Sequence, residues 1–135
     1  MTNQVHPIYP VGLLDVSKYQ WGIDIDRARD AGVQALIIRA GFGTVEDIRF
    51  REHRTTAEKA GWPWGAYWYW RPTVSISAQA QKARAVIGGS PPMGVLPDFE
   101  YNPRIERWPA TYTKSFISRK IWEMLDACDQ VFFER

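Results

Sequence analysis

The sequence predicts an α/β fold built on a parallel sheet. Short apolar runs alternate four times with amphipathic stretches, the connections are only a few residues long, and glycine or proline punctuates most junctions. Alternation of that kind favours right-handed βαβ units over hairpins. The first strand is expected in Val11-Gly-Leu-Leu-Asp-Val16, bounded by Pro10 and Ser17. Asp24 is placed to cap a helix that reaches about Ala31 and stops at Gly32. Val33 to Ala40 predicts a second buried strand, broken by Gly41-Phe-Gly43. From Asp47 to Ala60, Ile48, Phe50, Ala57 and Ala60 stand among charges as on an amphipathic helix, ended by Gly61. Trp64 to Trp70 is an aromatic strand halted by Arg71-Pro72. Ser77 is expected to cap a third helix through Ile87, Val95 to Glu100 to form a fourth strand, and Lys114 to Cys128 the last helix.

Composition narrows the function classes. The 135 residues are 45% hydrophobic, 24% charged and 14% aromatic, as in one globular domain, and neither a repeat, a low-complexity tract nor a linker divides residues 1–135. Lys and Arg number 17 against 15 acids, so the net charge of +2 is far from the basic excess of a nucleic-acid binder. No apolar run approaches the roughly 18 residues of a membrane span. The start MTNQVHPIYPVGLL lacks a signal peptide's basic n-region and cleavage site, which predicts synthesis in the cytoplasm. The single cysteine, Cys128, excludes an intramolecular disulfide and reads as a small core residue. His6 and His53 are too few and too far apart for a histidine metal site and are expected at the surface. Gly41-Phe-Gly43 lacks the third glycine of a dinucleotide fingerprint, and Ser17 lacks a nucleophile-elbow context. No cofactor is expected. Seven Trp and six Tyr predict core filling, with an aromatic platform for a flat ligand as the second reading. Trp62, Trp64, Trp68 and Trp70 alternate with Tyr67 and Tyr69, so the two sets face opposite ways on a strand.

Parallel strands gather their C-termini on one face, where ligand sites form. Asp15 ends the first expected strand, and Asp98 and Glu100 end the fourth. The latter two point the same way, with Cα atoms about 6.6 Å apart from two rises of about 3.3 Å, and Phe99 points the other way. Paired carboxylates suit glycoside hydrolysis, one delivering a proton to the leaving oxygen and one facing the oxocarbenium-like centre. An acid-x-acid pair also serves as a helix cap, a salt-bridge partner for Arg39 or Arg71, or a divalent-cation site.

The motifs in sequence add specificity. Gly12-Leu-Leu-Asp-Val-Ser-Lys-Tyr-Gln20 with Gly22-Ile-Asp24, Ile37-Ile-Arg-Ala-Gly-Phe-Gly43, Asp47, Phe50, Ala60-Gly61, Gly65-Ala-Tyr67 with Arg71-Pro72, and Leu96-Pro-Asp-Phe-Glu100 together resemble glycoside hydrolase family 25, the Chalaropsis-type muramidases. The resemblance covers about the first hundred residues. It implies a TIM-barrel-like (β/α) fold and hydrolysis of the β-1,4 bond between N-acetylmuramic acid and N-acetylglucosamine in peptidoglycan, as in lysozymes and endolysins of the bacterial wall. By the same resemblance Glu100 is the general acid, Asp98 stabilises charge at the anomeric carbon or an assisting acetamido group, and Asp15 is the third acid. Tyr67 matches a groove tyrosine, and Tyr69, Arg39 and Gln20 are further substrate-binding candidates. Trp68 and His53 depart from the family's usual histidine and asparagine. Val131-Phe-Phe133 falls where the family approaches its fifth strand, so the barrel is expected to be incomplete after about four βα units. Such a half has open sheet edges and predicts self-association or a separate C-terminal half. The rival expectations are a non-catalytic peptidoglycan-binding fragment and a metal-binding α/β domain.

Overall fold

The computed structural model describes residues 12–104 and 107–133; His6, Val11 and the amino-terminal stretch read for a signal lie outside them. Five strands and four helices follow in the order β1 (Leu13–Val16), α1 (Ile25–Asp30), β2 (Ala35–Phe42), β3 (Val45–Glu46), α2 (Phe50–Ala60), β4 (Trp64–Tyr69), α3 (Ile76–Ile87), β5 (Val95–Asp98) and α4 (Lys114–Phe132). The main sheet runs β1-β2-β4-β5 with every neighbour parallel, and β3 folds back antiparallel on the end of β2. Parallel strands in chain order, each followed by a helix or hairpin, make the wall of a (β/α) barrel.

The two faces of that wall differ. Leu36, Ile38, Ala40, Trp64, Ala66 and Trp68 point to the helices and are buried, joined by Phe50, Ala80, Ala83, Ile87 and Met124 in one core. Alternation puts Leu13, Ile37 and Leu96 on the other face, and Leu13 and Leu96 are 49% and 41% exposed there. Trp62 and Trp70 are buried with Trp64 and Trp68, so the tryptophans on and around β4 fill the core as expected. Cys128 is also buried, and burial pushes its thiol up to about 11, so it stays protonated at neutral pH.

Several expected boundaries move, each for a local reason. Asp24 does cap α1, accepting from the Arg27 N–H at 3.0 Å. Strand β2 starts two residues later than expected and runs through Gly41 instead of breaking there, because an irregularity between Arg39 and Gly41 absorbs one residue and a tight turn returns the chain as β3. That hairpin was not foreseen. Helix α2 starts at Phe50, since Asp47 is occupied inside the preceding turn. Ser75, not Ser77, caps α3 by accepting from the Ala78 N–H. Strand β4 ends at Tyr69 and β5 at Asp98, one and two residues short. Val131 and Phe132 belong to α4, which runs four residues past the expected helix end at Cys128. The surface reading of His53 is overturned: it is fully buried on α2, with Nε2 3.0 Å from the Ser17 carbonyl oxygen.

Gly41 is where β2 has no room for a side chain. A Cβ there would stand 2.4 Å from both Trp68 Cη2 and the Val45 carbonyl oxygen, two groups that the core and the hairpin hold in place. Gly41→Ala is expected to lower stability by about 1–3 kcal/mol through overpacking. Gly22→Ala, with nothing within 4 Å, is the control. Urea unfolding of both variants checks this, and equal midpoints would reject the packing account.

Candidate active site

The C-terminal ends of β1, β4 and β5 bring the three expected acids together. Asp15, Tyr67, Asp98 and Glu100 line one open cavity of about 450 Å³, floored by Ile37, Leu96 and Pro97. The register explains why: Asp15 lies opposite Ile37, Ile37 opposite Gly65, Tyr67 opposite Leu96, and Tyr69 opposite Asp98, so all these side chains share the face away from the helices. Gly65 leaves the centre of the floor low, since a Cβ there would meet Ile37 Cδ1 at 2.9 Å. Glu100 lies two residues past β5 and is exposed. The turn that carries it is tied back, because the Tyr69 hydroxyl donates to the Glu100 carbonyl at 3.3 Å and the Trp70 N–H to the Asp98 carbonyl at 2.8 Å.

The charges in the cavity are coupled. Asp98 is raised above the ordinary carboxylate range, chiefly by burial and then by the negative charges of Glu100 and Asp15, while Arg39 opposes the rise. Asp15 is raised by partial burial, against a hydrogen bond from the Tyr67 hydroxyl and the Arg39 charge. Tyr67 is raised well beyond its usual value by burial and by the Asp15 charge, which keeps it a neutral phenol that donates to Asp15.

Arg39 and Tyr69 line an adjoining cavity of about 130 Å³ with Lys18, Tyr19 and Phe42. Phe42 reaches that face because the irregularity after Arg39 resets the alternation of β2. Arg39 Nε donates to Asp47 Oδ2 at 2.7 Å, and Asp47 also accepts from the backbone N–H groups of Lys18 at 3.0 Å and Arg49 at 2.9 Å. Gln20 is not among the residues lining either cavity; its side-chain oxygen accepts from the Ser17 N–H at 2.7 Å and shapes the turn after β1. Asp47, Lys18 and His53 were not among the expected site residues. Asp47 is within the motifs that carry the resemblance, but its role depends on a hairpin that hydrophobic periodicity does not show.

Among the described residues no group of three or more His, Cys, Asp or Glu is arranged to hold a metal ion, and no helix is long and apolar enough to cross a membrane. At the far end of the sheet a cavity of about 400 Å³ between Trp62, Trp64 and Pro92 contains one acid, Glu58, facing Arg54 at 2.8 Å.

The chain is similar in structure to a muramidase from Trichobolus zukalii, at 28% identity and a TM-score of 0.73, over 88% of this chain and 59% of that one. It is equally similar to the bacterial lysozyme from Streptomyces coelicolor, at 28% identity and 0.72, covering 88% and 57%, and to a family GH25 lysozyme from Aspergillus fumigatus, at 27% and 0.71, covering 88% and 59%. The chain thus spans under two thirds of the length of these proteins. No curated protein matches it. The sequence profile of glycosyl hydrolases family 25 matches residues 14–90, more than half of the chain, and with the barrel wall and its acid-lined mouth in place the chain belongs to that family.

Proposed function

We propose that residues 1–135 are part of a single glycosidase domain that cleaves the β-1,4 bond between N-acetylmuramic acid and N-acetylglucosamine in the bacterial cell wall. The observation that carries the reading is the convergence of Asp15, Asp98 and Glu100 on one open cavity beside Tyr67. Glu100, exposed on a turn past the sheet, is the general acid that reaches the leaving oxygen. Asp98, deeper and fixed at the end of β5, is the carboxylate that faces positive charge at the anomeric carbon or an assisting acetamido group. The negative charges of Glu100 and Asp15 add to burial in raising Asp98, so the carboxylates of this cavity act on one another. Asp15 fixes Tyr67 through its hydrogen bond and adds negative potential at the same point. Tyr69 and Arg39 border the groove on the side of the smaller cavity.

A second reading is a peptidoglycan-binding chain without turnover. The exposure of Leu13 and Leu96 on the acid-bearing face favours it, since a groove open on one side positions sugar poorly. Positioning contributes about 7–11 kcal/mol in favourable cases. Self-association or a complementary C-terminal half supplies the opposite wall in the catalytic reading.

Incubation with purified peptidoglycan, followed by mass spectrometry of new reducing ends, separates the two. Release of reducing N-acetylmuramic acid, reduced at least about 100-fold by Glu100→Gln, is expected for the enzyme. Binding without release supports the second reading.

The pH dependence has a definite sign. As pH rises through the raised Asp98 value the electrostatic partner ionises and activity appears, so the acid limb lies above the ordinary carboxylate range. In Glu100→Gln one like charge is gone, so the Asp98 titration midpoint followed by NMR is expected to drop; an unchanged midpoint would separate the two carboxylates electrostatically.

A further inference from the structure

The smaller cavity beside the acids has a different chemistry. Lys18 Nζ lies 5.1 Å from the Tyr19 ring centre and 5.5 Å from that of Phe42, and the Arg39 guanidinium lies 5.3 and 5.6 Å from the same two rings. Two cations are therefore gathered over one pair of aromatic faces. Asp47 balances only one of them, through Arg39 Nε at 2.7 Å. Arg39 Nη2 is buried and has no hydrogen-bond partner among the described residues, although a buried cationic donor without a partner is costly. No carboxylate lines the cavity, whereas the adjoining one has three. Its volume of about 130 Å³ is the share of roughly four water molecules at about 30 Å³ each, the size of a charged substituent rather than a sugar chain.

We propose that this cavity is a carboxylate-binding subsite, in which Lys18 and the Arg39 guanidinium receive an anionic substituent of the glycan whose sugar backbone runs past Asp98 and Glu100. The inference rests on the muramidase reading and adds a specificity determinant to it. A chain of N-acetylglucosamine alone is neutral, whereas muramic acid carries either a free lactyl carboxylate or, amide-linked at that position, a peptide stem with carboxylates of its own. The subsite distinguishes muramic acid glycans from chitin by charge. Guanidinium is suited to the contact because it presents a planar donor fork to a carboxylate, and Asp47 holds that fork by Nε. The aromatic pair keeps water from one side of both cations, which strengthens their pull on an anion.

Calorimetric titration of the parent chain with three ligands tests this without requiring turnover: chitotetraose, a muramic acid tetrasaccharide with free lactyl groups, and the same glycan bearing peptide stems. Either acidic glycan is expected to bind about tenfold more tightly than chitotetraose, and Lys18→Ala to remove most of that margin while leaving chitotetraose binding unchanged. Lys18→Arg keeps the charge and is expected to keep the preference. A margin for the bare glycan assigns the lactyl carboxylate, and a margin only for the stem-bearing glycan assigns a peptide carboxylate. Equal binding of all three ligands, or a margin that survives in Lys18→Ala, overturns the subsite and leaves the muramidase reading standing. No binding of any glycan overturns both.

Discussion

The buried carboxylate of Asp47 ties together segments on which the rest of the site depends. Its side chain is fully buried and that of Arg39 is 13% exposed, and the two meet at 2.7 Å. The same carboxylate accepts the Lys18 N–H from the loop after β1 and the Arg49 N–H at the start of α2, and its own N–H donates to the Ala40 carbonyl at 2.8 Å. Four segments are thus tied at one point: the β1 loop, the irregular end of β2, the hairpin and the entry to α2. Removing one partner of such a buried pair costs about 3–5 kcal/mol, because the remaining charge is stranded away from water. His53 adds a second tie to the same loop through the Ser17 carbonyl. Neither residue lines the acid cavity, yet together they set where Lys18 and Arg39 stand.

The candidate site follows from parallel register combined with a single irregularity. Regular alternation along β1, β4 and β5 places Asp15, Tyr67 and Asp98 on the open face without further help. The aromatic cation cavity needs more. Without the shift between Arg39 and Gly41, Phe42 would face the helices, and the two cations would have one ring fewer beneath them. Gly41 makes the shift possible by letting Trp68 and the hairpin approach the strand closely.

Periodicity and punctuation were enough to read the α/β layering, the helix cap at Asp24 and the convergence of the acids, because those depend on local pattern and on the general geometry of parallel sheets. The hairpin was not legible: Val45–Glu46 is two residues long and gives no alternation to detect. The burial of His53 was hidden for a related reason. A histidine among Arg51, Glu52 and Arg54 looks solvated, and only the return of the β1 loop over α2 supplies the carbonyl that satisfies it. Gln20, read as a groove residue by its place in a motif, accepts the Ser17 N–H in the turn after β1. In each case the deciding contact spans distant parts of the chain or a turn whose geometry composition does not specify.

The open face links assembly to acidity. Partial burial is the largest cause of the raised values of both Asp15 and Asp98, although the cavity still opens to water. Any element that covers Leu13 and Leu96, from a second copy or from a complementary chain, also takes water from these two carboxyls, and desolvation favours their protonated forms. Linkage makes the effect reciprocal: what raises proton affinity on covering is itself favoured by protonation. Arg39 limits the cost from the other side, since its charge lowers both acids while Asp47 holds it at the edge of the cavity. An anion seated on Arg39 and Lys18 would weaken that restraint and leave the carboxyls holding their proton more firmly, so the charge recognised next to the acids also sets how readily they give a proton up.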